Sequence, residues 1–305
     1  MEPLKGFTVL STALNIPGPV AVCRLRELGA KVIKVEPPAG DPLEALAPSW
    51  YRELTEGQEI LRLDLKTPEG QGHLADRLAD VDLLLTSQRP SSLSRMGLDP
   101  QEVLSRHPRL LHVMMVGYGP GREEEAGHDL TYVAQLGLVK PPTLPRTLLA
   151  DLAGAQRAVQ EALALFLSRE RQILKRQAVV SLQEAARLWA APWRWGLTAP
   201  DGLLGGAYPL YRFYRAQDGW VAVAALEEKF ARRICQEMAV DPGLLLQRET
   251  WPEVERALAE GFLQRSVEEW EAWAREVDIP LTGVGKGQEA AEGSSPPPAT
   301  RSKGG

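Results

Sequence analysis

Short apolar runs alternate with segments of helical periodicity through the first part of the chain. The strand-like runs are rich in β-branched and aliphatic residues, and the segments between them repeat apolar positions at helical spacing. The predicted strands are residues 7–11, 31–36, 60–65, 81–86 and 110–116, and the predicted helices are residues 19–28, 67–78 and 99–105. Strands that alternate with helices predict a mostly parallel sheet with helices on both faces. The fold class is therefore predicted to be α/β, with a large domain over residues 1–190.

The pattern changes in the second half of the chain. Helices are predicted over residues 150–170 and 182–189, and a segment rich in Pro, Gly and Trp follows. Two strand-like runs then flank Asp218 and Gly219, which is typical of a hairpin turn. These patterns predict a linker, a smaller α+β domain and a polar tail with too few apolar residues to fold. The predicted bounds are residues 191–204 for the linker, 205–284 for the small domain with helices at 228–238 and 267–277, and 285–305 for a disordered tail.

Residues 117–154 carry the main candidate chemistry of the chain. This stretch follows the apolar run 110–116, and loops at the carboxyl edge of an open sheet commonly hold ligands. It contains His128, between Gly127 and Asp129, and Asp151, which is placed like a helix N-cap. An imidazole and a carboxylate at such an edge are suited to general acid and base work. The alternatives are a satisfied polar histidine and an aspartate that only caps the helix.

Composition and charge narrow the class of protein. The chain has 305 residues, 44% of them hydrophobic, and a formal net charge of -5. That balance gives no basic field, so no nucleic-acid partner is expected. Cys23 and Cys235 have neither metal-ligand spacing nor the pattern of a disulfide framework, so no bound metal is expected. No leader or membrane segment is recognised, so a cytoplasmic location away from membranes is expected. No predicted strand is followed by a GxGxxG or Walker loop, which argues against an ordinary dinucleotide or triphosphate site.

Eight segments of the chain match a known family in order. They are LKGFTVL, PGPVAVCRLRELGAKVIKVEPPAGDP, LDLKTPEG, DLLLTSQRPSSLSRMGL, PRLLHVMMVGYG, GHDLTY, ADLAG and YPLYRFYRAQDGWVAVAALEEKF. They resemble the family III CoA-transferases, a group that includes formyl-CoA transferase, carnitine CoA-transferase and α-methylacyl-CoA racemase. The resemblance implies a Rossmann-like large domain, an acyl-CoA substrate with coenzyme A as part of it, and no permanently bound cofactor.

The resemblance implies two different chemistries for the same residues. In racemases of this type, the residues matching His128 and Asp151 exchange the α-proton of a 2-methylacyl-CoA, and the one matching Glu227 supports the histidine. In the transferases, the residue matching Asp151 is a nucleophile that forms a mixed anhydride and then an enzyme thioester. The glycine-rich loop of the formyl-CoA type has no clear counterpart near residues 195–207, which favours racemase chemistry. A catalytically silent acyl-CoA-binding protein is the third alternative.

Departures from the family pattern concern CoA binding and assembly. Residues 55–61, TEGQEIL, stand where many members have a basic run, and Pro37 stands where some have a basic residue. Arg89 and Arg95 are therefore the candidate contacts to the CoA phosphates. The family's active site near the junction of two chains implies a homodimer. Since members return to the large domain after the small one and this sequence stops soon after PLTGV, full interlocking of two chains is not expected.

Overall fold

The computed structural model describes residues 2–285, and the chain divides into two compact units. The first unit is Met1–Ala191 and the second is Pro192–Gly305. Apart from Gly285, the predicted disordered tail lies outside the described residues.

A six-stranded parallel sheet forms the centre of the first unit. Its strand order is β3-β2-β1-β4-β5-β6, so the chain extends the sheet in one direction from β1 to β3 and in the opposite direction from β4 to β6. All five strand pairs are parallel, which confirms the predicted α/β class. The strands are β1 (Thr8–Ser11), β2 (Lys31–Glu36), β3 (Glu59–Arg62), β4 (Leu83–Thr86), β5 (Leu111–Val116) and β6 (Gln177–Ser181).

Helices of the first unit cover both faces of this sheet. The predicted helices are present, with ends that differ by a few residues, and Thr67 lies at the N-cap of α4 rather than inside it. The sequence did not predict the short helices α2, α3, α5 and α7. The helices are α1 (Pro17–Glu27), α2 (Pro42–Leu46), α3 (Pro48–Thr55), α4 (Pro68–Leu78), α5 (Pro90–Arg95), α6 (Pro100–Arg106), α7 (Asp129–Gln135), α8 (Leu149–Glu170) and α9 (Leu182–Arg187).

Alternating residues of the central strands supply two apolar cores. Val9 and Leu83 point into the core that α1, α7, α8 and α9 cover, whereas Leu10 and Leu84 point into the core that α4, α5 and α6 cover. This arrangement follows from the two-residue period of a strand. Burial on both faces explains why these strands read as continuous apolar runs in the sequence.

A buried charged cluster anchors the loops beside the sheet. The Lys34 ammonium lies 2.6 Å from both Glu36 Oε1 and Asp41 Oδ2, and all three side chains are excluded from solvent. The Tyr51 hydroxyl donates to Glu36 Oε1, and Asp41 accepts the backbone N–H of Asn15 at 3.0 Å. Removing one partner would leave a buried charge uncompensated. The cluster thereby fixes the loop after β1, which lines the candidate site described below.

The second unit is a small α+β structure, as predicted. Its three-stranded antiparallel sheet has the order β7-β8-β9, and Tyr214, Phe262 and Trp270 pack in its core. The predicted hairpin is present, whereas α12 and β9 were not predicted. A short π-helical segment (Leu203–Ala207) lies within the predicted linker and the start of the small domain. The elements are α10 (Ala191–Arg194), which spans the unit boundary, then β7 (Tyr211–Arg215), β8 (Trp220–Ala224), α11 (Glu228–Glu237), α12 (Trp251–Phe262), α13 (Val267–Glu276) and β9 (Leu281–Gly283).

Candidate active site

A cavity of about 200 Å³ lies at the carboxyl edge of the large sheet. It sits beside β1, β4 and β5, where the strand order reverses, which is the usual ligand position in such sheets. The structure brings His128, Asp151 and Arg89 to this one cavity, although they are far apart in the sequence. Its other charged lining residues are Glu123 and Glu125.

His128 reaches the cavity from the N-cap position of α7. Its backbone is extended, and its N–H donates to Thr131 Oγ1 at 3.1 Å. That bond closes the first turn of the helix, so the histidine lies where the loop becomes rigid. The residue is exposed. An imidazole at this point is open to the cavity and to a substrate that enters it.

Asp151 lies in the first turn of α8 and does not cap that helix. The predicted N-cap role is wrong, because α8 begins at Leu149 and its N-cap is Leu148. The carboxylate that satisfies this end belongs to Asp129, whose Oδ1 accepts the N–H groups of Ala150 at 2.7 Å and Asp151 at 3.0 Å. Asp129 therefore performs the capping that the sequence suggested for Asp151. The Asp151 side chain is left for the cavity.

Burial raises the pKa of the Asp151 carboxyl from 3.8 to about 6, and the negative charge of Asp129 adds to that rise. A position in the first turn of a helix by itself favours an ionised carboxylate. Here desolvation and a like charge outweigh the helix, because Asp129 already occupies two N–H groups of the helix end. The result is a carboxyl group that exchanges protons close to neutral pH.

Two of the main-chain donors expected at this helix end are not free. The sequence suggested that the first N–H groups of the helix receive the oxygen of an enolate. Instead, the N–H groups of Ala150 and Asp151 are bonded to Asp129. An oxygen that gains negative charge in this cavity is therefore not met by these two N–H groups.

A second, larger cavity of about 630 Å³ lies near the carboxyl ends of β2 and β3. Lys66 and Arg95 supply its positive charge, and Val35, Leu63 and Leu65 are among its apolar residues. Glu36 and Asp64 also line it. A cavity with cations beside apolar walls has the chemical character required by a nucleotide with phosphate groups.

Helix α5 places the two candidate arginines in different cavities. Arg89 is the N-cap residue of α5 and lines the cavity of His128 and Asp151. Arg95 is the last residue of the same helix and lines the larger cavity, where its Nη2 donates to Ser92 Oγ at 2.9 Å. Both side chains are exposed. The six residues of α5 therefore connect the edges of both cavities.

Glu227 lies in the second unit, at the N-cap of α11. Its side chain is exposed, and it makes no side-chain hydrogen bond to that helix. Its predicted support of His128 stays a prediction.

Sequence reasoning missed two residues that line these cavities, and it missed the capping role of Asp129. Asp129 was noted only as a neighbour of His128, although it caps α8 from a distance of more than 20 residues along the chain. Tyr132 lines the smaller cavity and Lys66 the larger one. The signal for Lys66 is its position after a predicted strand, which places it at the ligand-binding edge.

Comparison with known proteins shows which family the chain is similar to. Residues 4–295 match the family model for CoA-transferase family III. Human α-methylacyl-CoA racemase is 27% identical over 290 residues, with 88% of this chain and 74% of the racemase covered. Mouse succinyl-CoA:glutarate CoA-transferase is 25% identical over 265 residues, with 77% of this chain and 59% of the relative covered.

A solved structure has the same fold. The crystal structure of a hypothetical protein from Mycobacterium tuberculosis aligns with a TM-score of 0.83 at 23% identity, covering 95% of this chain and 88% of that one. Within residues 2–285, no helix has the length and apolar character to cross a bilayer. The match of the family model over nearly the whole sequence shows that this chain is an enzyme that belongs to CoA-transferase family III.

Proposed function

We propose that the enzyme catalyses 1,1-proton transfer at the α-carbon of an acyl-CoA thioester, as an α-methylacyl-CoA racemase does. The observation that carries the proposal is the pairing of His128 with a carboxyl group, Asp151, of raised pKa in one cavity. Racemisation requires two groups that take and return a proton at one carbon. The racemase named among the relatives supports the same activity.

Each residue serves one face of the α-carbon. For one enantiomer the imidazole of His128 removes the α-proton, the electron pair moves toward the thioester oxygen, and Asp151 protonates the opposite face. For the other enantiomer the roles reverse. Because the pKa of Asp151 is about 6, a useful fraction of the carboxyl group carries a proton near neutral pH. An aspartate of ordinary pKa is almost fully ionised there and is a poor acid.

The CoA moiety is proposed to occupy the larger cavity and the acyl thioester the smaller one. Lys66 and Arg95 supply cations beside the larger cavity, and Arg89 supplies one beside the smaller. The enzyme is further proposed to work as a homodimer, with Glu227 supporting the histidine.

The second candidate is CoA transfer through Asp151. Transferases named among the relatives support it, including the succinyl-CoA:glutarate enzyme. A carboxylate with a pKa of about 6 is mostly ionised at neutral pH, so it can attack a thioester carbonyl. The two candidates differ in what His128 contributes, and that difference makes them separable.

The test compares His128→Ala and Asp151→Ala in solvent-deuterium exchange and in inversion. Each variant of a racemase is expected to lose inversion by at least ~100-fold, the usual contribution of one general acid or base. Each should retain slow exchange from the face served by the remaining residue. The assay uses a panel of enantiopure 2-methylacyl-CoA esters, with mass and chiral analysis of the product.

Exposed residues of the same types provide controls. His73 and Asp76 lie on α4, away from both cavities, and His73→Ala and Asp76→Ala should leave both rates unchanged. In a transferase, His128→Ala retains much of the transfer to a carboxylic acid acceptor, whereas Asp151→Ala abolishes it. Native inversion by Asp151→Ala would refute both proposed roles of that residue.

A further inference from the structure

Tyr132 presents an unused hydroxyl group to the smaller cavity. Its side chain is only 3% exposed, yet it lines the cavity with His128 and Asp151. Among the described residues no hydrogen bond of this hydroxyl is found, whereas the neighbouring Tyr118 hydroxyl donates to Thr131 Oγ1 at 3.3 Å. Within residues 2–285, the side-chain polar atoms that are closed off from solvent and have no hydrogen-bond partner are Glu36 Oε2, Gln58 Oε1 and His112 Nδ1. The Tyr132 hydroxyl is not among them, so it is not closed off from solvent. The buried phenol thus has a donor open to the cavity.

Gly117 and Gly127 leave the space that the Tyr132 side chain occupies. A Cβ atom on Gly117 would lie 2.2 Å from the Tyr132 hydroxyl oxygen, and one on Gly127 would lie 2.5 Å from a carbon of the ring. Both distances are far below van der Waals contact, so a side chain at either position would displace the ring. The Tyr118 ring packs edge-on against it at 5.0 Å between centroids. The ring is therefore held, while its hydroxyl is not engaged.

The surroundings keep the hydroxyl protonated. Burial raises the pKa of Tyr132 to about 12, and the nearby charge of Asp151 is the next contribution in the same direction. The phenol is then a hydrogen-bond donor throughout the neutral range. A preorganised donor in a site shielded from water stabilises developing charge without having to reorient.

We propose that Tyr132 is a further catalytic residue that donates a hydrogen bond to the thioester carbonyl oxygen. The role rests on the proposed function. When His128 or Asp151 takes the α-proton, the electron pair of the C–H bond forms the C=C bond of the enolate and the carbonyl oxygen gains the negative charge. Tyr132 keeps its own proton, and no bond to the phenol forms or breaks. The N–H groups that would otherwise meet this oxygen at α8 are occupied by Asp129.

Tyr132→Phe tests this role, because it removes one hydroxyl and keeps the ring. Exchange and inversion should each fall by ~100- to 1000-fold in kcat, the range for one oxyanion donor. The KM should change little, since the bond strengthens mainly in the transition state. Tyr118→Phe is the matched control, because Tyr118 is also buried and its ring packs against the Tyr132 ring. The rates of this variant should stay within about twofold of the wild type.

Two further measurements separate catalysis from structure. The affinity for an S-alkyl-CoA thioether, which has no carbonyl oxygen, should be equal in Tyr132→Phe and the wild type. The thermal midpoint should also be equal. A loss of thioether affinity or of thermal stability that accounts for the lost rate would show a structural role and overturn the proposal.

The result that would refute the role of Tyr132 differs from the result that would refute the proposed racemase function. If the wild-type enzyme exchanges no α-proton of any acyl-CoA ester, the proposed racemase function fails. If the wild type exchanges and Tyr132→Phe does so at the same rate, only the role of Tyr132 is refuted.

Discussion

At the residue scale, burial and the neighbouring Asp129 together raise the pKa of Asp151. Asp129 caps α8 in place of the expected residue, and its charge adds to the burial that raises the pKa of its neighbour. The sequence singled out one stretch with His128 and Asp151, and both residues line one cavity. It did not identify which aspartate caps the helix, because the two lie on different elements and only the packing of α7 against α8 brings them together. Tyr132 was missed for the same reason.

The raised pKa of Asp151 predicts a penalty for stability at neutral pH. The pKa is higher in the folded protein than its ordinary value of 3.8, so the protonated form is favoured by folding. Its stabilising contribution is present below about pH 4 and is lost as the pH rises through about 6. At pH 8 the buried charge costs up to ~3 kcal/mol.

Asp151→Asn is therefore expected to unfold less readily than the wild type at pH 8, by ~1–3 kcal/mol. The difference should shrink through pH 6 and vanish near pH 4. Urea unfolding at the three pH values, followed by circular dichroism, measures it. Asp76→Asn on the exposed face of α4 should show no such trend. An equal difference at all pH values would contradict the assigned pKa.

At the element scale, the central strands were predictable, whereas one edge strand and several short helices were not. The strands β1, β2, β4 and β5 are buried on both faces and appear as continuous apolar runs. The edge strand β6 exposes Val179 and is not continuously buried, and the sequence did not predict it. Helices α2, α3, α5 and α7 have five to eight residues each, so their periodic signal is weak. Helices α6 and α9 are equally short but were predicted. Of the helices that were not predicted, α5 carries both candidate CoA arginines.

The position of Arg95 at the end of α5, beside the larger cavity, predicts that it contributes to CoA affinity. Arg95→Ala should weaken the binding of free CoA by ~1–3 kcal/mol, the range for a hydrogen bond to a charged group. That loss is about 5- to 150-fold in the dissociation constant, and it should diminish at high salt. Isothermal titration of CoA measures it. Arg106→Ala is the control, because Arg106 is exposed, pairs with Glu102 and lines neither cavity. An unchanged dissociation constant would remove Arg95 from the CoA site.

At the scale of the whole molecule, the sequence predicts individual strands better than it predicts which strands pair. The predicted strands of both sheets and the hairpin follow from patterns within about 20 residues. The pairing of β1 with β4 and of β5 with β6 joins residues that lie more than 60 positions apart. Such pairing follows from the rules for parallel sheets and cannot be read from local pattern alone. The active-site cavity depends on this long-range pairing, because it lies where β1 meets β4.

Exposed tryptophans in the second unit predict self-association of the enzyme. Trp195 is 80% exposed, and Trp193 and Leu197 on either side of it are each 42% exposed. Large aromatic residues are enriched in interfaces, and an exposed cluster of them is costly in water. We expect a second copy of the chain to cover this cluster, in keeping with the proposed homodimer. Sedimentation at micromolar concentration should then give a dimer.

Trp195→Arg should shift that equilibrium toward monomer, because it places a charge where the proposed interface excludes water. The expected weakening of association is at least ~10-fold, which corresponds to ~1.4 kcal/mol. Trp220→Arg is the matched control, since Trp220 is 43% exposed on β8 and already packs against the Arg215 guanidinium. It should leave the dimer intact. A wild-type enzyme that sediments only as a monomer, or a dimer that Trp195→Arg does not weaken, would show that the tryptophan cluster around residue 195 is not the contact between copies.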